Sequence, residues 1–335
     1  MIARALGALL LLIVVVAGAV PSLIAPYGPT TQFRDHLLAP PMAVHLRDEE
    51  GRWRAPFVYP IAVVDRLERR FAEDRAHPVR LRLFANGRAI GPETEAYGPW
   101  LLLGSDRLGR DLFSRLVYGA RLSLGVAIVA VIGALLLGTC AGALAGYRGG
   151  WIDHLLMRLS EFVVVLPPLY VVLAFRSMLP PSLRAEVVFV LMAILLAAIG
   201  WPVVARGVRT IVTTENTRDY VMAARALGAS PWRLIGRHLL PATAGFLRVQ
   251  ALLLLPAVIM AETTLSFAGL GFESDRPSWG TLLQEAADIR AMADYPWLLS
   301  AAAAIVIVVL GLNLLLEADR RPRGALDTLL YRLTE

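Results

Sequence analysis

The sequence predicts an all-α polytopic membrane protein, with six transmembrane helices and a small extracytoplasmic β-containing insertion after the first. Three observations carry that expectation. The 335 residues are 57% hydrophobic with a mean hydropathy of +0.60, far too apolar for a soluble protein of this length. Six apolar runs of roughly 20 residues are each long enough to cross a bilayer. Between them the arginines cluster in short loops, and one long polar stretch follows the first run, as membrane topology requires.

Composition also excludes several functions. A formal charge of +6 and a pI near 9.9 fit a nucleic-acid binder in principle, but the basic residues lie in short loops beside apolar runs, so no nucleic acid is expected. All 33 basic residues are arginine. Without a lysine the chain lacks the P-loop cation that reaches nucleotide phosphates, and any ATP hydrolysis that drives it belongs to another chain. The single cysteine, Cys140, lies inside an apolar run and can form no intrachain disulfide. His36, His45, His77, His154 and His238 show no metal-ligand spacing. No metal or cofactor is expected.

The first run, Ala5 to Ile24, reads as an uncleaved anchor with Arg4 held inside. Ala17-Gly18-Ala19 resembles a signal-peptide cleavage site, but the apolar run exceeds the usual length of about 7 to 15 residues. Residues 1–24 are therefore taken as the anchor and 25–105 as an extracytoplasmic insertion. In the insertion, Val79 to Phe84 alternates apolar residues with arginine, and Asn86-Gly87 is a strong hairpin turn; Arg47 to Arg54 around Gly51 reads as a second hairpin. Contact with a binding protein and capping of the outer mouth stand equally as roles for this region.

Gly104 to Leu124 approaches the second span with Asp106, Arg107, Arg110, Asp111 and Arg115, expected as polar anchors at the headgroup level. Leu112, Phe113, Leu116 and Val117 are placed on an interfacial apolar face. Span two, Leu122 to Ala145, leads into a four-residue series of Gly138, Gly142 and Gly146, a stripe for close helix packing. Span three, Leu155 to Phe175, has Arg158 and Glu161 three residues apart at its inner end and is kinked by Pro167-Pro168. Span four, Val187 to Val204, ends near Trp201-Pro202. Span five, about Gly245 to Leu270, carries Glu262 after a long uncharged stretch; its carboxylate faces either a translocation path or a hydrogen-bonding strut. An acidic outer loop and span six, Trp297 to Leu316, follow. Residues 106–318 form the core and 319–335 a cytoplasmic tail with Arg320, Arg321 and Arg323, so both termini lie in the cytoplasm.

The stretch with the most information lies between spans four and five, within a loop of residues 206–241. Ala223, Ala224, Ala226 and Leu227 favour a helix, and Gly228 can adopt the left-handed conformation that ends it. Ser230 is placed as the cap of a second helix with Pro231 at its first position, and Pro241 as its terminator. Arg218, Arg225, Arg233 and Arg237 against Asp219 put this knob in the cytoplasm.

The spacing Met222-Ala223-Ala224, Gly228, His238, Leu240-Pro241 resembles the coupling motif of permease subunits in binding-protein-dependent ABC importers. That motif has Glu where Met222 stands and an apolar residue where His238 stands. Asp219, one turn earlier, is a candidate substitute for the Glu. RALGAS with RHLLP, the run from Gly104 to Arg121, AETTLSFAGLG and Pro277-Ser278-Trp279-Gly280 are similar to the dipeptide, oligopeptide and nickel branch. The resemblance implies a six-helix ABC importer permease in the bacterial inner membrane that carries no catalytic site. It implies ATPase coupling through Asp219, Met222, Ala223, Ala224, Arg225, Gly228, Ser230, Pro231, Leu240 and Pro241, with Glu262, Arg158 and Glu161 as pathway or structural polar residues. The implied partners are a second homologous permease, two ABC ATPases, an extracytoplasmic substrate-binding protein and membrane lipid. The cargo is then a small peptide, a nickel chelate or a related solute. An ion-coupled secondary transporter or an intramembrane enzyme is the alternative; neither accounts for the coupling knob.

Overall fold

The structure is a computed structural model that describes residues 2–48, 50–65, 68–84, 88–178, 180, 184–287 and 293–320. The chain forms two compact units, Met1–Leu9 with Val126–Glu262 and Val309–Glu335, and Leu10–Gly125 with Thr263–Val308. Four helices among the described residues are long and apolar enough to cross a membrane: Leu112–Arg148, Ala185–Glu215, Pro231–Phe267 and Pro296–Leu316.

Helix α1 (Ile2–Ala19) occupies most of the first apolar run and breaks at Val20; one further turn, α2 (Pro21–Ile24), follows. Pro21 accounts for the break, because its ring removes an N–H and clashes with the carbonyl four residues back. The expected unbroken helix is thus two pieces. The chain then builds strands β1 (His45–Arg47), β2 (Trp53–Val58), β3 (Ile61–Asp65), β4 (Arg70–Glu73), β5 (Val79–Leu83) and β6 (Ile90–Pro92). They form an antiparallel sheet in the order β1-β2-β5-β6 and a separate β3-β4 ribbon. Gly51, at φ +77°, supplies the left-handed residue of the β1–β2 turn. In the β5–β6 hairpin, Phe84 N–H donates to the Ala89 carbonyl; Asn86 and Gly87 lie outside the described residues. Ala39, Met42, Val58, Ile61, Val79, Trp100 and Leu101 are the core beneath these strands.

In the same unit, α10 (Trp279–Ala286) opens with a capping box between Ser278 and Thr281. Trp279 is buried, its backbone N–H on Ser123 Oγ (3.1 Å) and its indole N–H on the Leu116 carbonyl (3.2 Å). The Pro277-Ser278-Trp279-Gly280 run therefore docks a short helix. A Cβ on Gly280 would meet the Thr263 carbonyl at 2.5 Å, so only glycine permits this approach.

Helix α3 (Leu112–Arg148) starts ten residues ahead of the expected Leu122. Leu112 and Val117, expected at a lipid interface, are buried in protein. Helix α4 (Gly150–Val165) and α5 (Pro168–Ser177) replace the expected single kinked span. Leu166 is extended at φ −69°, ψ 123°, the conformation that a following proline imposes, so Pro167-Pro168 interrupts the helix outright. Helix α6 (Ala185–Glu215) runs eleven residues past the expected end at Val204 and carries Pro202 inside it. The glycine stripe packs on α6: Gly138 beside Trp201 and Val204, Gly142 beside Ala205 and Val208, Gly146 beside Arg209 and Val212. Asp153 of α4 accepts from Arg209 Nε of α6 at 2.7 Å.

Helix α9 (Leu240–Phe267), a 3-10 turn at Pro296–Leu299 and α11 (Ser300–Arg320) complete the chain. Arg321 and Arg323 of the expected tail lie outside the described residues.

Candidate functional site

Between α6 and α9 the chain folds into α7 (Asp219–Ala226) and α8 (Pro231–Leu234). The corner between them is a Schellman motif. Gly228 N–H donates to the Arg225 carbonyl (3.0 Å), and Ala229 N–H reaches back to the Ala224 carbonyl (3.1 Å). Gly228 sits at φ +83°, a conformation costly for any residue with a Cβ. Ala224 and Ala229, which this motif brings together, both pack on the cluster below. Asp219 in the first turn of α7 complements the helix dipole.

Two expectations change here. Ser230 occupies the cap position of α8 with extended backbone, but its side chain makes no capping hydrogen bond. Pro231 at the first position, with its preset φ, is what fixes the start. Nor does Pro241 end the segment. A π-turn over Ile235–Leu239 joins α8 to α9, with Leu240 N–H on the Ile235 carbonyl five residues back. The wider turn just ahead of Pro241 relieves the clash its ring would make with an ideal α-helical carbonyl. Pro241 is therefore a first-turn residue of α9, and Pro231–Phe267 is one continuous helix.

The knob is held down by residues that its motif spacing does not single out. Val221, Leu234 and Leu239 are buried against Val204, Val208 and Val212 of α6. Arg225 is exposed but engaged within the chain: its Nη2 donates to Asn216 Oδ1 (2.6 Å), and its guanidinium lies over the Tyr147 ring. Tyr220 donates to Glu215 (2.6 Å), and this bond to a carboxylate holds the phenol above its ordinary range. His238 is half-buried with its ring beside Tyr220.

What remains exposed is an unusual surface for a polar loop. Leu227 is 89% and Trp232 83% exposed, and Tyr220 and Met222 are also exposed. Ala223, Ser230, Pro231 and Pro241 are exposed as well, while Ala224 and Leu240 are half-buried. The predicted set thus separates into exposed residues (Asp219, Met222, Ala223, Arg225, Gly228, Ser230, Pro231, Pro241), of which Arg225 is already engaged with Asn216, and half-buried ones (Ala224, Leu240). Leu227 and Trp232 were the missed outward members. Their signal was a large apolar residue on either side of a glycine corner in an otherwise basic loop.

The other polar candidates do not join this site. Arg158 and Glu161 pair at 2.9 Å on the exposed side of α4. Glu262 is fully buried in α9. Of the charges in the Gly104 to Leu124 stretch expected at the headgroup level, Arg107 is exposed, whereas Asp106, Arg110, Asp111 and Arg115 are buried. Arg110 donates to Asp106 (2.6 Å), Arg115 to Asp106 and to Glu285 (2.7 Å), and both guanidiniums reach the Ser274 carbonyl. Asp111 caps α3 by accepting from Ser114 N–H (2.8 Å); burial pushes its carboxyl up to about 6, with the Asp106 charge adding to the shift.

Residues 138–319 match the family model described as the binding-protein-dependent transport system inner membrane component. Among curated proteins, a dipeptide transport system permease protein of Alkalihalophilus pseudofirmus is 36% identical over 231 residues, covering 69% of this chain and 72% of the relative. A di/tripeptide transport system permease protein of Pseudomonas aeruginosa is 33% identical over 92% of this chain and 83% of its own. An oligopeptide transport system permease protein of Bacillus subtilis is 35% identical over 63% of this chain and 67% of its own.

Proposed function

Because the chain belongs to the family of binding-protein-dependent transport system inner membrane components, we propose that it is the permease subunit of an ATP-driven importer of small peptides. It is a multi-pass membrane protein that carries out no covalent chemistry. ATP is hydrolysed on partner chains and cargo arrives from a separate binding protein. In this reading a second, related permease completes the pathway and two ATPases dock from the cytoplasm. Six crossings are made by α1 with α2, α4 with α5, and the four long helices, with both termini inside. Residues 1–24 are the anchor, 25–105 an extracytoplasmic insertion, 106–318 the core and 319–335 the tail.

One observation carries the coupling role: the knob spends Val221, Leu234 and Leu239 on its own anchoring and leaves Leu227 and Trp232 outside. Large apolar side chains held rigidly beside a glycine corner are what a partner pocket recognises. Asp219, Met222, Ala223, Gly228, Ser230 and Pro231 frame that contact, while Ala224, Arg225, Leu240 and Pro241 hold its shape. Met222 offers the ATPase an apolar contact in place of a charge. Closure of the ATPase pair moves the knob, and the unbroken helix from Pro231 carries the movement into the membrane. Glu262, fully buried, acts as a strut within the protein, and the exposed Arg158–Glu161 pair faces the path or a neighbouring subunit.

The test is affinity purification of the chain from its native membrane in mild detergent, wild type beside Leu227→Asp/Trp232→Ala. Two ATPases and a second permease should accompany the wild type. The ATPases alone should be lost from the variant, since both side chains are exposed and support no core. Equal ATPase recovery in the two would overturn the docking assignment, and recovery of the wild-type chain alone after cross-linking would overturn the importer reading.

A further inference from the structure

The β-rich region ends in an apolar surface that its own core does not use. In the β5–β6 hairpin, Leu83 and Ile90 form the last cross-strand pair, and Phe84 begins the turn. Leu83 is 72% and Phe84 79% exposed, and Ile90 is exposed beside them. The register of β2 with β5 runs through Phe57–Arg80 and Val58–Val79, so β2 begins at the end where β5 finishes. Trp53, the first residue of β2, is 70% exposed at that end, with the Arg47 guanidinium 4.5 Å over its ring. Phe84 also holds a left-handed backbone at φ +56°, a strained choice for an exposed aromatic residue.

The location of this end is fixed by the backbone. Ala89 N–H, next to Ile90, donates to the Leu23 carbonyl at 2.6 Å. Leu23 lies in α2, where the first apolar helix leaves its run. Leu12, Val16, Val20 and Leu23 form an exposed stripe at spacings of four, four and three residues, leading up to that contact. The exposed apolar end of the sheet is thus continuous with the exposed apolar face of α1 and α2. Around it stand Arg82, paired with Glu93, and Arg88, paired with Glu95. A Trp and a Phe with flanking arginines, level with the end of an apolar helix, match the chemistry of the headgroup region.

We propose that this end of the sheet, Trp53, Leu83, Phe84 and Ile90, sits in the lipid interface beside the first membrane helix and ties the insertion to the bilayer. The aromatic rings and Leu83 enter the boundary between acyl chains and headgroups, and the arginines lie at the level of lipid phosphates. This rests on the reading that α1 and α2 cross the membrane. It makes the insertion a fixed collar on the membrane surface. The binding protein then meets other parts of it.

The test places one cysteine in a Cys140→Ala importer otherwise free of reactive cysteine, reconstituted in phosphatidylcholine/phosphatidylglycerol nanodiscs. Phe84→Cys is the reporter, Leu83→Cys a second should the first assemble poorly, Ile13→Cys in α1 the membrane reference, and Ala76→Cys the water reference. Ala76 is exposed in the turn ahead of β5, and the run from Val79 to Phe84 alone spans roughly 17 Å by strand rise. With an environment-sensitive fluorophore attached, positions 84 and 13 should both emit to the blue and lose intensity with brominated lipid. Position 76 should respond only to iodide. Iodide quenching without lipid quenching at 84, with 13 still lipid-quenched, would overturn the anchor and leave the membrane span standing. Absence of lipid quenching at 13 would overturn the span on which it rests. A shift at 84 that appears only on adding the binding protein would assign the surface to that protein and also overturn the proposal.

Discussion

Arg115 and Glu285 stand 170 residues apart in the sequence and 2.7 Å apart in the fold. Arg115 is fully buried, and besides Glu285 it reaches Asp106 and the Ser274 carbonyl, while Arg110, two residues ahead of α3, reaches the same acceptors. Two buried guanidiniums balance two carboxylates, Asp106 buried and Glu285 23% exposed.

Arg115→Met should therefore be severely destabilising. Two carboxylates would be left against one arginine in a buried site, at a cost of roughly 3 to 5 kcal/mol. Thermal unfolding of the detergent-solubilised protein reads this as a large fall in midpoint. Adding Glu285→Gln should recover part of the loss, since it removes the charge that Arg115 leaves behind. Equal damage in the single and double variants would mean that packing, not charge balance, sets the cost.

Asp111 should make stability depend on pH in a defined window. Its folded carboxyl titrates near 6 against an ordinary 3.8, so the fold holds this proton more tightly than the unfolded chain does. The stability it contributes is full below about 3.8 and is lost as pH rises through 6. At 1.36 kcal/mol per unit this is on the order of 3 kcal/mol. Asp111→Asn keeps the acceptor for Ser114 N–H and removes the titration. Its stability relative to wild type should climb between pH 4 and 6 and level off above, tracked by urea unfolding across that range.

Gly142→Ala should weaken the packing of α3 on α6. The added methyl would meet the Ala205 carbonyl and approach the Arg209 backbone nitrogen to 3.0 Å, both of them backbone atoms that cannot step aside. A loss of about 1 to 3 kcal/mol is expected from overpacking. Differential scanning fluorimetry checks it, with the exposed Ile132→Ala on the same helix as a control that should change little.

Gly228→Asp should act oppositely, sparing the fold and damaging transport. A side chain at this position meets open space, so only the left-handed backbone at φ +83° resists it. The Schellman corner would relax by about 1 kcal/mol of strain, with a new charge beside Leu227. Membrane insertion should be unchanged while peptide uptake falls about tenfold, the equivalent of about 1.4 kcal/mol lost from docking. Normal uptake would remove the need for a rigid corner.

Much of this was legible in the sequence because local chemistry dictated it. The glycine stripe, the glycine corner and Pro231 at a helix start are each set by one residue type and its spacing. Prolines were harder to read. Pro167-Pro168 breaks a helix, Pro202 sits inside one, and Pro241 is absorbed by a π-turn, according to whether neighbouring backbone can be re-satisfied. The buried ionic cluster was misplaced for a different reason. Asp106, Arg110 and Arg115 read as exposed in the sequence because their partner, Glu285, comes from the distant helix α10, which periodicity does not connect to them. In the knob, the motif residues were readable but their surroundings were not: Arg225 is engaged with Asn216, and the exposed Leu227 and Trp232 stand outside the motif spacing.

The π-turn at Ile235–Leu239 also sets an angle. A single π-turn amounts to one extra residue in an α-helix, and each residue turns the helix by about 100°. The rotational phase between the knob and every side chain of α9 therefore depends on this turn staying wide enough to absorb that residue. If the same residues closed up as an ordinary α-helix, the helix would gain that residue's full rotation. It would then present the wrong side of α9, from Gln250 to Glu262, to the rest of the bundle. A chain of normal helix content would have the segments on either side of the π-turn out of step by more than a quarter turn.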